Sequence, residues 1–217
     1  MEDPFAEPTD TREAILGAAF RALCEHGYAD LTIKRIGEEF DKSPSLVYHH
    51  YDGKDELLVD LLEYLLDDFE SALAADAFDL PPRTRLDAYV SAMTDPTSID
   101  AEHAPDARFL TAVIELRAQA ATDEAYRSHF DRSDRVFQRF LERSVREAAA
   151  NIRANDSIDV PDDGSVTPTE VAATLQALSS GAMLRWATTN DREWVGDVRQ
   201  GIDRYLSTTL PDVDPDA

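Results

Sequence analysis

The sequence predicts an all-α chain of about nine helices, a compact three-helix head followed by a longer helical body. Two observations carry that expectation. Apolar residues recur at the i, i+3, i+4 spacing of a buried helical stripe almost throughout, and no strand-like alternation of any length competes. The breaks between stripes hold residues that start and stop helices, and a hydrophobic content of 43% over 217 residues suffices for a sizeable core.

Taken in order, Ile15, Ala18, Ala19, Ala22 and Leu23 make one stripe on a first helix over residues 10–25, stopped by Gly27 at its C′ position. Thr32 caps a short second helix, 32–39, with Ile33 and Ile36 turned inward. Ser43 caps a third, with Pro44 at the first helical position, where its missing N–H is no loss; this helix ends by Tyr51. Asp52 is the expected cap of the fourth. Leucine pairs at 57/58, 61/62 and 65/66, followed by Phe69, give that helix a broad apolar face suited to a connector between subdomains. Further helices are expected at 83–94, 105–120 (with Pro105 at the first position), 122–153, 167–187 and 191–209. Thr167-Pro168-Thr169-Glu170 reads as a capping box with proline just inside the start. "NDSIDVPDDGS" is a loop, and residues 211–217 form a tail.

Acidic residues outnumber basic ones 44 to 21, for a formal net charge of -23 and a pI near 4.4. Taken alone, that balance argues against nucleic acid and anionic membranes as partners. The 21 basic residues are 18 arginines and three lysines. Such a composition suits a halophile's surface, where carboxylates hold hydration and lysine is displaced; the alternative is an acidic mesophilic protein. The single cysteine, Cys24, lies beside Leu23 on an apolar face. It excludes an intramolecular disulfide and reads as a small core residue rather than a nucleophile. "MEDPFAEPTD" lacks the apolar region of a signal peptide, and no apolar run is long enough to span a bilayer. A cytoplasmic protein with no membrane partner is expected.

All three lysines, Lys34, Lys42 and Lys54, fall within residues 32–54, where four basic residues balance four acids. That segment is neutral, and the whole net charge lies outside it. Each lysine sits at or near the N-terminal end of one of three consecutive helices, where helix dipoles already favour an anion. Three short helices with a tight turn before the third make a helix-turn-helix candidate, with the motif at 31–50. A surface otherwise purged of lysine keeps it where an anion is to be held.

Residues 11–58, "TREAILGAAFRALCEHGYADLTIKRIGEEFDKSPSLVYHHYDGKDELL", resemble the N-terminal domain of the tetracycline-repressor (TetR/AcrR) family. The shared features are Ile15, Ala18-Ala19, Phe20, Gly27-Tyr28, Thr32-Ile33, Ile36, Ser43, Val47-Tyr48-His49-His50-Tyr51 and Lys54-Asp55-Glu56-Leu57. The departures are local. Gly37, Phe40-Asp41 and Lys42 alter the turn, and Leu46 stands where a polar residue is common, so operator sequence does not carry over. The resemblance implies a ligand-responsive, dimeric transcriptional regulator, a repressor released from palindromic double-stranded DNA by a small apolar effector. It further implies a DNA-binding domain over 8–68 and an effector-binding and dimerisation domain over 69–210.

By the same resemblance, residues 43–50 form a recognition helix in the major groove. The expected DNA contacts are Thr32, Lys34, Lys42, Ser43, Pro44, Ser45, Leu46, Tyr48, His49 and Lys54. Ser43 and Ser45 can donate to phosphates or base edges, and the Tyr48 hydroxyl can reach a phosphate. Pro44 and Leu46 can press on thymine methyls, while Lys34 and Lys54 clamp the backbone on either side. Adjacent His49 and His50 point about 100° apart on a helix, which makes them poor joint metal ligands. The expected split turns His49 outward and packs His50 against the first helix. His103 and His129 are isolated and read as surface groups.

The remaining two thirds carries no catalytic triad spacing and no glycine-rich phosphate loop, so no enzyme, cofactor or metal site is expected. The resemblance implies an effector pocket between the middle helices, for which Tyr89, Met93, Phe109, Val113, Phe130, Phe137, Phe140 and Met183 are the apolar lining candidates. It also implies dimerisation through the last two helices. Two stripes there, Val171, Leu175, Leu178 and Ala182 with Val195, Val198, Ile202, Tyr205 and Leu206, can close a four-helix interface between two copies. Two alternatives stand beside this reading: a regulator without a small-molecule response, and an all-α enzyme or metal-binding bundle.

Overall fold

A computed structural model describes residues 4–40, 45–74, 80–98, 107–155 (backbone only over 152–155) and 166–210. Among the described residues there are nine α-helices, one 3-10 turn and no strand. The first helix, α1 (Thr11–Asp30), starts on Asp10, whose carboxylate accepts the Glu13 N–H at 2.8 Å. Glu13 in turn accepts from the N–H and hydroxyl of Thr9 at 2.6 and 2.7 Å. Gly27 interrupts α1 with φ 69° and ψ 169°, a left-handed φ that favours glycine, and one further turn then runs to Asp30. The expected stop at Gly27 is therefore a kink rather than an end.

Thr32 caps α2 (Ile33–Glu38), its hydroxyl accepting the Arg35 N–H at 3.2 Å. The third helix, α3, is Ser45–His50; the expected cap Ser43 and first-position Pro44 lie outside the described residues. The fourth, α4 (Lys54–Ala74), begins with Gly53, not Asp52, at the cap position. Instead, the Asp52 N–H donates back to the Glu56 carboxylate at 2.7 Å. Helices α5 (Pro82–Thr94), α6 (Ala107–Gln119), α7 (Glu124–Asn155), α8 (Pro168–Thr188) and α9 (Glu193–Thr209) follow, with a 3-10 turn at Pro96–Ser98. The capping box of α8 forms in full: Thr167 accepts the Glu170 N–H, and Glu170 accepts the Thr167 N–H at 2.7 Å.

The chain packs as two units. One holds α1–α4, α6 and α7 up to Ser133; the other holds α5, the 3-10 turn, α7 from Asp134, α8 and α9. In the first unit Ile15, Leu16, Leu23, Ile36, Val47, Leu57, Leu58 and Leu61 are fully buried in one core. Leu116 and Ala112 of α6 join it, Phe109 packs on Phe20 at 5.1 Å, and Glu115 accepts the Tyr28 N–H at 2.6 Å. These contacts put α6 with α1, although the functional partition expected from the sequence divides the chain at 68/69. The helix the division crosses is α7, while α4, expected to connect subdomains, lies wholly in the first unit.

Phe5 closes the first core from the N-terminal side, with ring centroids 6.1 Å from Phe20 and 5.1 Å from Tyr64. Gly17 permits this approach, since a Cβ there would stand 2.6 Å from that of Phe5. In the second unit Leu86, Leu141, Val171, Ala172, Leu175 and Leu206 form the core. Arg83 and Arg85 of α5 pair with Asp203 of α9 (2.7 Å) and with Glu147 of α7.

Candidate nucleic-acid interface

Thr32 and Val47 fix the two short helices of the motif. The first supplies the α2 cap; the second buries completely and draws α3 against α1 and α4. Val47 and Tyr51 are four residues apart, so both take the inward side of α3 and turn Ser45, Tyr48, His49 and His50 outward. Among the described residues Tyr48 is the most open of the large apolar side chains, at 64% exposure. Leu46 is half-buried against the core rather than fully presented. His50, expected to pack on α1, is exposed, because Tyr51 occupies the inward position.

The basic residues of the motif divide between two tasks. Lys34 is 86% exposed, with only a loose approach to Glu38 at 3.8 Å. Lys54 is anchored. Its ammonium donates to the carbonyls of Tyr28 and Leu31 at 3.0 and 3.3 Å and lies 4.1 Å from the centroid of the Tyr28 ring. Two of its three N–H donors thus close the C-terminal end of α1, which leaves at most one for any other partner. Arg35 donates to the Asp30 carbonyl and Arg21 to that of Glu39 at 3.2 Å, so both brace the ends of helices. Lys42, Ser43 and Pro44 lie outside the described residues.

Behind this face Asp55 accepts two hydroxyls on one carboxylate oxygen, from Tyr28 and Tyr126, each at 3.0 Å. Burial and the Asp55 charge push the Tyr28 hydroxyl up to about 12, and the same causes raise Tyr126. Both phenols remain donors at neutral pH. The kinked end of α1 is thereby tied to α4 and α7 and, through Glu115, to α6.

A family model described as bacterial regulatory proteins, tetR family, matches residues 15–61, the span that contains this motif. Over that span the chain matches the N-terminal domain of the TetR family. One relative is the HTH-type transcriptional repressor AcnR of Corynebacterium glutamicum, 24% identical over 88% of this chain and 90% of that protein. A TetR transcription regulator from Haloarcula marismortui superposes with a TM-score of 0.71 at 29% identity, covering 92% of this chain and 97% of that one. A transcriptional regulator from Saccharomonospora viridis, solved in complex with choline, superposes with a TM-score of 0.69 at 18% identity, over 93% and 98% of the two chains.

Beyond residues 15–61 the expected sites are redistributed. Of the pocket candidates, Phe109, Val113 and Phe130 belong to the first unit's core, where Arg117 lies 5.0 Å from the Phe130 ring. Tyr89, Phe137 and Phe140 meet in the second unit, with centroid distances of 6.1 and 6.4 Å from Tyr89. Met93 is half-buried and Met183 buried. No single unit assembles all eight.

The dimer candidates need a sharper correction. Val171, Leu175, Ala182, Val195, Ile202 and Leu206 are all buried within this chain, and Val198 and Tyr205 are half-buried against the same cores. Of the nine, Leu178 alone is open, at 44%. The larger branched side chains turn into the chain's own interior. The outward face of α8 instead carries Ala173, Ala177, Leu178, Ser180, Gly181 and Leu184.

His129 is the residue that sequence reasoning misplaced outright. It is buried, with Nδ1 2.8 Å from Glu63 Oε1. Its position three residues after Tyr126 and next to Phe130 carried the signal, since both belong to the inward face of α7. Arg132, on the same side, reaches Glu63, Asp67 and Glu70 along α4.

Proposed function

We propose that this chain is a dimeric, ligand-responsive TetR-family repressor of transcription that acts in the cytoplasm and binds a palindromic double-stranded operator. The observation that carries the reading is the outward face of α3, Ser45, Tyr48 and His49, in a motif whose ends are braced by Thr32, Arg21 and Lys54. Lys34 and the last donor of Lys54 are the described backbone clamps; Lys42 joins them by sequence position. The repressor activity named for AcnR supports repression rather than activation, and the choline bound by the Saccharomonospora viridis protein supports a small-molecule effector. For this chain the half-buried rings of Tyr89, Phe137 and Phe140 favour an apolar or aromatic one. Among the described residues no helix is long and apolar enough to cross a membrane.

The distribution of charge supports dimerisation. A chain with a net charge of -23 repels its own copies over most of its surface, yet Val171–Leu184 contains no charged residue at all. The outward face of that stretch is where two copies can meet, and a two-fold dimer pairs with a palindromic site.

The test is selection from a randomised duplex pool by the full-length protein. A recovered inverted repeat, with half-sites about one helical turn apart, is the expected result. Failure to enrich any sequence across low and molar KCl overturns the reading.

A further inference from the structure

The recognition helix has six described residues, Ser45–His50, and so short a helix depends for its orientation on what grips it. Its C-terminal end is gripped by a hydrogen-bonded triad. Tyr51, the residue after α3, is buried, and its hydroxyl donates to Asp60 Oδ2 of α4 at 2.6 Å. Arg12, from the first turn of α1, takes the same carboxylate with both arms: Nε donates to Oδ2 at 2.9 Å and Nη2 to Oδ1 at 2.5 Å. One carboxylate therefore joins the start of α1, the second turn of α4 and the end of α3. None of these three groups reaches the outward face of α3.

Resting on the DNA-binding reading above, we infer that Asp60 is a positioning residue for sequence recognition, setting through Tyr51 the angle at which α3 presents Ser45, Tyr48 and His49 to base edges. Phosphate contacts through Lys34 lie on α2 and do not depend on this grip. Loss of the grip separates the two kinds of binding: base readout falls while backbone attraction persists. The triad holds its protonation state around neutrality. Burial alone would raise the Asp60 carboxyl, but the Arg12 and Tyr51 hydrogen bonds more than offset that and hold it below the usual range. Burial and Asp60 together push the Tyr51 hydroxyl well up.

The experiment compares two labelled duplexes by fluorescence anisotropy: one selected by the wild-type full-length protein from a randomised pool, and a scrambled duplex of equal length in the same salt. Tyr51→Phe keeps the ring and removes only the donor. The expected result is a thermal midpoint near wild type, unchanged affinity for the scrambled duplex, and a loss of about tenfold on the selected one, the scale of one hydrogen bond to a charged acceptor. Asp60→Asn should behave alike, and the double variant should lose little more than either single one, since both cut the same path. Should Tyr51→Phe fail to fold, Arg12→Lys removes the two-armed grip from a side chain that is 45% exposed, and the same ratio is read. A folded variant with an unchanged ratio of selected to scrambled affinity overturns the inference. So does a proportional loss on both duplexes, which marks Asp60 as a stabilising residue only. A wild-type protein that selects no sequence overturns the DNA-binding reading itself, and the inference falls with it.

Discussion

His129 sits in the first core with one ring nitrogen on Glu63 and the guanidinium groups of Arg132 and Arg117 close enough to oppose a positive charge on it. Burial is the largest influence and lowers its pKa from the ordinary 6.5; Glu63 pulls the other way without prevailing. The unfolded chain therefore binds a proton near pH 6.5 that the folded chain refuses. Stability is full above that value and is lost as pH falls toward the lowered folded one. The carboxylates held low, Glu13, Asp60, Glu147 and Glu170, start from 3.8 or 4.5 and act only at lower pH. Wild-type thermal midpoints should thus decline between roughly pH 7 and 5.5, and the His129→Gln variant, whatever its absolute midpoint, should be flat over that interval. Parallel curves for the two proteins would refute the assignment. The sequence held half of this story. Spacing with Tyr126 and Phe130 marked the inward face of α7, but the Glu63 partner is 66 residues away and depends on packing that no local pattern encodes.

At the level of whole helices, much of the self-contained local chemistry was legible, although Asp52 gives up the cap of α4 to Gly53 and Gly27 kinks α1 without ending it. The Thr32 cap, the Thr167–Glu170 box and the break at Gly27 each rest on groups within four residues of one another. Facing is different. Helix α8 has two uncharged sides, and only the tertiary structure decides that Val171 and Leu175 turn inward while Ala177, Gly181 and Leu184 turn out. A charge at Ile202, an obvious test of dimerisation from the sequence, would now be expected to break the fold, since that side chain is 3% exposed. Leu184→Asp is the better probe. It places two carboxylates across the proposed two-fold face on a side chain already 50% exposed. Light scattering should report a monomer with an unchanged melting temperature. A variant that stays dimeric would move the interface off α8.

Over the whole molecule, the net charge of -23 and the neutral 32–54 segment set how binding responds to salt. Counterion release from a few phosphate contacts gives a shallow loss of affinity with salt, roughly one logarithmic unit per contact per decade. The structure shortens the contact list further, because most of Lys54 serves backbone carbonyls and Arg35 commits one of its donors to another. Against that small loss stands repulsion between an acidic body and DNA, which molar salt screens to about 3 Å. Affinity for the selected duplex should stay flat or rise from low to molar KCl, provided folding is checked at each step by circular dichroism. A steep, continuous decline with the protein folded throughout would contradict this. The sequence made the charge balance plain. What it concealed was how many of the cations near the motif are occupied inside the fold.

Gly17 lies in a helical stretch of α1 where alanine would ordinarily be preferred by up to about 1 kcal/mol. Phe5 forbids it, because the added methyl would stand 2.6 Å from its Cβ. The order in which the two positions can change across generations is therefore fixed. A lineage that first loses the Phe5 ring loses the anchor that holds the Cβ of residue 5 against α1, and once that segment shifts away it can accept alanine at 17 with a gain. A lineage that tries alanine first meets a clash. The path is open in one direction and shut in the other, so among descendants an aromatic at position 5 and a side chain at position 17 should rarely be found together.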